Sequence, residues 1–456
     1  MFEKLTLQNT DIALSDFEKT LSYAELYMKV QEISKMWKEN NITKILLCSA
    51  NSIDWCVYYL SAFLNGITVF VVPTFLSTPL CKSIINTYDI QFLFIDGKVT
   101  IRKNRKNICE QLEGVSTVFF TSGTSGMPKG VMLTRENLIS NTEAINDYMQ
   151  NDHKDNLLII KPLYHSSTLT GELLVGFNRG TAIYISKGNF FPQKIVSVLN
   201  DYPITILCAV PSMIASILKY KSNYAGQLRI ISVSGSYANR NLLQQALQTF
   251  QCEIYNVYGL TEASPRVTCL KIQNFLDKID SIGRTIRGVR VEICKENGEL
   301  TMQANIEGEL VVSGSNVMKG YLDNIDLTKE KIKNNRLYTG DIGYYDNDGF
   351  IYLTGRKDDM ICRSGINIYP KTIEEVISRI DGVNEVFVFG VKDDFYSNKI
   401  VACIGADDYI KKGDVIKMCN KCDVQSPDNI FLFRSLPKTQ LGKLDREKIK
   451  LMCKNY

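Results

Sequence analysis

The sequence predicts an α/β fold: parallel sheets covered by helices, then a β-rich region, then a small α+β domain. Three observations predict it. Over roughly the first 285 residues, apolar runs of strand length alternate with helix-length segments, and that alternation implies parallel strands with helices on both faces. After about residue 285 the texture changes to short strands and glycine-rich turns, "VRVEIC", "GELVVSG" and "GFIYLTG". From Lys357 onward one clear helix, "KTIEEVISRI", two strands, "NEVFVFGV" and "KIVACIGA", and a polar tail read as a separate unit of about 100 residues.

The strands expected in the first region are "KILLCS" (44–49), "ITVFVV" (67–72), "FLFI" (92–95), "LLII" (157–160), "AIYI" (182–185), "ITILCA" (204–209) and "RIISVS" (229–234). Residues 23–38 and 239–250 carry helical spacing, and "PSMIASILKY" opens on Pro211, which a first helical turn accepts. From Trp55 to Cys81 no residue is charged, a length that could span a bilayer. The Asn65-Gly66 pair and Pro73 break it, so a buried helix (54–64), a turn and a strand are expected instead.

A chain of 456 residues with 45% hydrophobic content can build two or three cores. The net charge of +4, from 53 basic and 49 acidic residues without a basic block, excludes a nucleic-acid groove and leaves room for anionic ligands. Thirteen cysteines are scattered along the chain, and Met1 is followed by Glu3 and Lys4 instead of a signal-peptide core. A reducing cytoplasm is the expected setting, with no membrane span. Cys419 and Cys422 form one C-x-x-C that Cys403 and Cys453 could complete, but the second C-x-x-C of a zinc ribbon is missing.

The candidate site begins at "TSGTSGMPKG" (121–130), which fits neither a Walker loop nor a dinucleotide fingerprint. Its parts nevertheless suit a polyphosphate: glycines let backbone N–H groups converge, hydroxyls add donors and Lys129 supplies a cation. A strand through Val118, Phe119 and Phe120 should deliver the loop, in a strand–loop–helix context. In "YNVYGLTEAS" (255–264), Tyr258 can stack on a base, Thr261 can donate to a phosphate and Glu262 can hold magnesium. The same Thr and Glu could instead cap a helix. In "YTGDIGYYDNDGFIYLTGRKDD" (338–359), Asp341 between Gly340 and Gly343 suits the paired hydroxyls of a ribose, and Arg356 lies further along. Lys443, in "PKTQLGKLDREKIK", reads by spacing alone as a solvated lysine.

These motifs, in this order and at these intervals, resemble the adenylate-forming superfamily of acyl- and aryl-CoA ligases, stand-alone adenylation enzymes and beetle luciferases. "LSYAEL" (21–26) and "LNGITVFVVP" (64–73) are similar to its two upstream landmarks, so the resemblance covers nearly the whole chain. It implies a large N-terminal domain, residues 1–356, of two α/β sheets (1–285) and a distorted β-barrel (286–356). A small mobile C-terminal domain, 357–456, would come after a hinge at Asp358.

The resemblance further implies that Thr121, Ser122, Gly123, Thr124, Ser125, Gly126 and Lys129 surround the ATP phosphates. Glu262 would sit at Mg2+, Asp341 and Arg356 at the ribose, and Gly235, Ser236 and Tyr258 near adenine. Tyr237, Asn256, Val257, Gly259 and Thr261 complete the nucleotide set. Lys443 matches the family's adenylation lysine, which overturns the surface reading. The catalytic set implied is thus Lys443, His165, Thr261 and Glu262. Gly365, in "CRSGIN", would line the thiol channel after the small domain rotates.

The implied reaction is activation of a carboxylic acid by ATP, releasing pyrophosphate, then transfer to a thiol, most simply CoA. Loading of a carrier-protein phosphopantetheine and luciferase-like oxidation of the adenylate are the alternatives. Where amino-acid-activating relatives carry an aspartate, this chain has Tyr164 and His165, and an unpaired buried ammonium is costly, so an α-amino acid is disfavoured. His165 matches the histidine beside the acyl carboxylate in acid–CoA ligases. Pocket walls at 166–174, 234–238 and 263–266 favour an aryl or medium-sized acyl acid. The chain is short for the family, with "DDYIKKGDVIKMCNKCDVQ" in place of a longer helical stretch and Thr372 where relatives place a glutamate.

Overall fold

The computed structural model describes residues 5–6, 8–74, 78–102, 109–121, 128–188, 190–363, 366–393, 397–438 and 444–453. Two large sheets dominate. The first has seven strands, with Val115–Thr121, Thr68–Val71, Lys44–Cys48 and Phe92–Ile95 running parallel at its centre. The second has nine, six of them parallel: Ile12–Ser15, Ala182–Ile185, Asn156–Ile159, Ile206–Ala209, Ile230–Val233 and Glu253–Tyr258.

One apolar cluster is shared by both sheets and the helices Tyr23–Glu39, Ile53–Asn65 and Arg135–Met149 between them. Local chemistry fixes these helices. Ser22 and Glu25 form a reciprocal capping box, worth about 1 kcal/mol. Ser52 caps the next helix, which stops at Gly66 with φ 68°, so the uncharged stretch is a buried helix and a strand, as expected. No helix among the described residues is long and apolar enough to cross a membrane. Pro192–Asp201, Pro211–Leu218 and Arg240–Phe250 cover the outer face of the nine-stranded sheet.

The phosphate-loop candidate lies between two strands. After Val115–Thr121 the chain returns antiparallel as Lys129–Thr134, with Thr121 opposite Lys129, before the helix begins at Arg135. The expected strand–loop–helix is therefore corrected to a strand–loop–strand hairpin: "KGVMLT" buries its central residues Gly130–Leu133 as a strand, and the capping residue is Thr134. A two-residue strand, Gly320–Tyr321, closes this edge by pairing with Val131 and Met132.

Beyond residue 285, Val289–Cys294, Gly308–Gly314, Arg336–Tyr345 and Ile351–Arg356 form the core of an antiparallel sheet. The C-terminal region contains the expected helix, Pro370–Ile377, and strands, Val383–Asp393 and Ser397–Ala406. Its tail is more ordered than the sequence pattern suggests. Lys412–Lys421 is a helix, Asn429–Phe433 is a third strand parallel to the second, and Arg446–Cys453 is a final helix. The helix 412–421 buries only Val415 and Cys419, which leaves a weak apolar stripe in a polar segment. Cys419 packs on one face of this sheet and Cys403 on the other, so the four cysteines considered for a metal do not converge.

Candidate nucleotide and acid site

The site is assembled at the carboxyl ends of the parallel strands, where open α/β sheets leave a crevice. Strand Glu253–Tyr258 delivers Tyr258, and the single turn Thr261–Ala263 comes directly after it. Gly259 makes this corner possible: a Cβ there would stand 1.6 Å from the Pro265 carbonyl oxygen. Tyr258 donates a 2.5 Å hydrogen bond to Asp341 Oδ2. Asp341 sits opposite Arg356 across two antiparallel strands, and the Arg356 Nε lies 3.5 Å from its Oδ1. Burial raises the Asp341 pKa, opposed by Arg356 and by the Tyr258 hydrogen bond. Burial, reinforced by Asp341, pushes the Tyr258 hydroxyl well above its ordinary range. The tyrosine is therefore the donor and the carboxylate the acceptor.

A second chain of contacts runs to the phosphate hairpin. Tyr321 donates to Glu262 Oε1 at 2.8 Å, and the Lys129 ammonium lies 5.8 Å from the Tyr321 ring centre. Thr261 Oγ1 lies 3.0 Å from Ser166 Oγ, and Ser166 is next in the chain to His165. His165 stands at the head of the helical segment 166–179, its ring 4.8 Å from that of Tyr164. Lys129, Tyr321, Glu262, Thr261, Ser166 and His165 thus form one continuous path.

Gly235 (φ 92°), Ser236 and Tyr237 form the loop after strand Ile230–Val233. Asn256 donates to the Ser281 carbonyl at 3.3 Å, and Val257 is buried. Asp358 lies in the turn Lys357–Asp359 directly after strand Ile351–Arg356, and Asp359 pairs with Arg446 at 2.6 Å. Ser122, Gly123, Thr124, Ser125, Gly126, Gly365 and Lys443 lie outside the described residues. The flanks of Lys443 are described: Lys438 and Leu444 form an antiparallel bridge, and the Asp445 N–H donates to Pro437 O at 2.8 Å.

Two residues of the site carry almost no sequence signal. Tyr321 joins the phosphate and magnesium candidates, and the only hint of it is a Gly-Tyr pair in "MKGYLDN". Lys371, in the first turn of helix Pro370–Ile377, donates to Leu353 O at 2.8 Å and lies 5.0 Å from the Tyr237 ring centre. It brings the C-terminal region against the loop after Gly235, which no local motif announces.

The sequence relatives decide the family. Residues 104–322 match the model of the AMP-binding enzyme family, and residues 372–443 match that of the AMP-binding enzyme C-terminal domain. The 2-succinylbenzoate–CoA ligase of Listeria monocytogenes serotype 4b is 31% identical over 342 residues, covering 74% of this chain and 70% of the relative. The chain belongs to the AMP-binding enzyme family. A second 2-succinylbenzoate–CoA ligase, from Bacillus cytotoxicus, is 31% identical over 340 residues, 73% of this chain and 69% of the relative. The o-succinylbenzoate coenzyme A synthetase of Bacillus subtilis, solved with ATP and a magnesium ion, superposes with a TM-score of 0.84 at 25% identity, covering 98% of each chain. ATP-bound MatB from Rhodopseudomonas palustris shares the fold, with a TM-score of 0.87 at 21% identity over 100% of this chain and 98% of that one. The resemblance read from the motifs and the α/β class are both borne out.

Proposed function

We propose that this AMP-binding enzyme is an acid–thiol ligase that activates an aryl or acyl carboxylic acid with ATP, releases pyrophosphate and transfers the acyl group to CoA. An α-amino acid is not the substrate. The names of its relatives make 2-succinylbenzoate the first acid to test. The observation that carries the reading is the convergence of Tyr258, Asp341 and Arg356 with Lys129, Tyr321 and Glu262 at one crevice.

In this reading the adenosine rests against Tyr258 and the loop Gly235–Tyr237, with its ribose hydroxyls toward Asp341. Asn256, Val257 and Gly259 shape the same wall. Residues 121–126 and Lys129 receive the outer phosphates. Glu262 fits a magnesium site, because its Oε1 is fixed by Tyr321 and a hard cation prefers such an oxygen donor. Magnesium held there would neutralise phosphate charge. The acid carboxylate attacks the α-phosphorus in line, and Lys443 offsets the charge that gathers there. His165 borders the carboxylate, and Thr261 donates toward the phosphate.

The second half-reaction replaces AMP by a thiol. We infer a division into residues 1–356 and 357–456 with Asp358 as hinge, supported by the separate apolar clusters of the C-terminal sheet. Rotation there would bring Gly365 to the thiol channel and withdraw Lys443. A cytoplasmic setting is supported by thirteen cysteines without a disulfide.

Pyrophosphate exchange across a panel of aryl, acyl and amino acids tests the first step. Supplying CoA or a carrier protein, and identifying the thioester formed, tests the second. Exchange only with α-amino acids overturns the substrate assignment. Thioester on the carrier protein alone replaces CoA as acceptor, and an oxidised product without thiol would favour the luciferase-like alternative.

A further inference from the structure

A charged cluster lies buried behind the site and takes no part in the contacts described so far. Lys161, just past the carboxyl end of strand Asn156–Ile159, places its Nζ 2.9 Å from Glu172 Oε1, with side chains 3% and 0% exposed. Glu172 belongs to the widened helical turn Leu169–Leu174 that descends from His165. Arg266, 3% exposed, lays its guanidinium along that turn: a Cβ at Gly171 would be 3.0 Å from its Nη2. Arg266 is anchored by its backbone, its N–H donating to Asn141 Oδ1 at 3.0 Å. Glu172 and Arg266 fall on segments 166–174 and 263–266, two of the walls assigned to the acid pocket, and Lys161 lies shortly before the first of them.

Two features set it apart from an ordinary structural ion pair. Two basic side chains, Lys161 and Arg266, share a single acidic neighbour, Glu172, away from water. Its hydrogen bonding is also incomplete: the donors Arg266 Nε and Thr170 Oγ1 are buried without a hydrogen-bond partner among the described residues, as is the acceptor Glu172 Oε2. Buried polar groups are almost always satisfied, so open donors beside two basic side chains point to an anionic ligand group.

We propose that Lys161 and Arg266 form an anion-accepting subsite at the far end of the acid pocket, with Glu172 as their positioning carboxylate. It selects acids that carry a second carboxylate and discriminates against those ending in an alkyl or bare aryl group. This rests on the acid-activating reading above.

The test compares 2-succinylbenzoate with 4-oxo-4-phenylbutanoate, which differs only in lacking the ring carboxylate. In pyrophosphate exchange the wild-type enzyme should favour the dicarboxylate by roughly 10- to 100-fold in kcat/KM. Lys161→Met leaves Arg266 as the only basic side chain beside Glu172 and should remove most of that preference. Glu172→Gln leaves two cations facing the acid and should increase it, with a larger thermal shift on adding 2-succinylbenzoate. A purely structural role would move both variants in the same direction. Equal use of the two acids by wild type, or preferences that do not diverge in the two variants, overturns the subsite and leaves acid activation standing. Exchange with neither acid nor any other carboxylate overturns the functional reading itself.

Discussion

Tyr321 donates a 2.8 Å hydrogen bond to Glu262, tying the edge strand of the seven-stranded sheet to the turn that ends a strand of the nine-stranded sheet. The bond orients one carboxylate oxygen and leaves the other for a cation. Tyr321→Phe keeps the ring beside Lys129 and removes only the donor. Pyrophosphate exchange should fall about tenfold, as expected for one hydrogen bond to a charged group, with half-saturation moved to higher magnesium. A magnesium titration at fixed ATP checks both, and an unchanged titration would sink the role.

Asp341 is the acceptor for Tyr258 and the partner of Arg356. Asp341→Asn keeps the shape and removes the charge. KM for ATP should rise about tenfold or more while kcat at saturating ATP changes less, because the interaction serves the ground state and transition state alike. Steady-state kinetics with varied ATP separates the two constants.

Lys443→Ala should lower adenylate formation on the order of 100- to 1000-fold, the usual effect of removing one preorganised charge donor. Thioester formation from chemically supplied acyl-adenylate should be largely retained. Equal loss of both half-reactions would contradict domain alternation.

Glu374 lies buried on helix Pro370–Ile377 and accepts from the Val388 N–H at 2.8 Å. Burial pushes its pKa up to about 7, opposed by that hydrogen bond and by Arg446. The folded state therefore holds this proton more tightly than the unfolded chain does. Its stabilising contribution is complete below the ordinary glutamate range and is lost as pH rises through about 7. Glu374→Gln should flatten that part of the profile, as read by Tm at pH 5.5, 7 and 8.5. A profile as steep as wild type would exclude Glu374 as its source.

Gly259→Ala drives a methyl group into the Pro265 carbonyl, 1.6 Å from its oxygen. Backbone on both sides leaves nothing flexible to yield, so destabilisation of several kcal/mol is expected. Urea unfolding measures it; a change below about 0.5 kcal/mol, typical of a neutral surface substitution, would refute the packing argument.

Much of this arrangement was legible in the chain. Apolar runs placed all seven expected strands of the first region, and Asn65-Gly66 marked a helix end because glycine accepts the left-handed conformation. Tyr258 belongs to one motif and Asp341 and Arg356 to another, about 80 residues further along, and the three meet in space. The hidden part is non-local. The pairing of Gly320–Tyr321 with Val131 and Met132, the approach of Lys371 to Tyr237, and the burial of Lys161 with Glu172 and Arg266 all join segments that carry no mutual signal. The hairpin at Lys129 departs from the expected strand–loop–helix because the composition of a loop says little about whether the next element is a strand or a helix. The helix at 412–421 leaves no mark in the sequence pattern, because two buried side chains are too few to set a period.

The edge strand Gly320–Tyr321 also governs how the protein must be made. The ribosome releases Lys129–Thr134 long before residue 321 exists, so the nascent N-terminal sheet waits with a bare row of backbone donors and acceptors. Fragments ending between the two should precipitate, and separate expression of the N-terminal portion needs to extend past Leu322, whose N–H donates to Gly130 O.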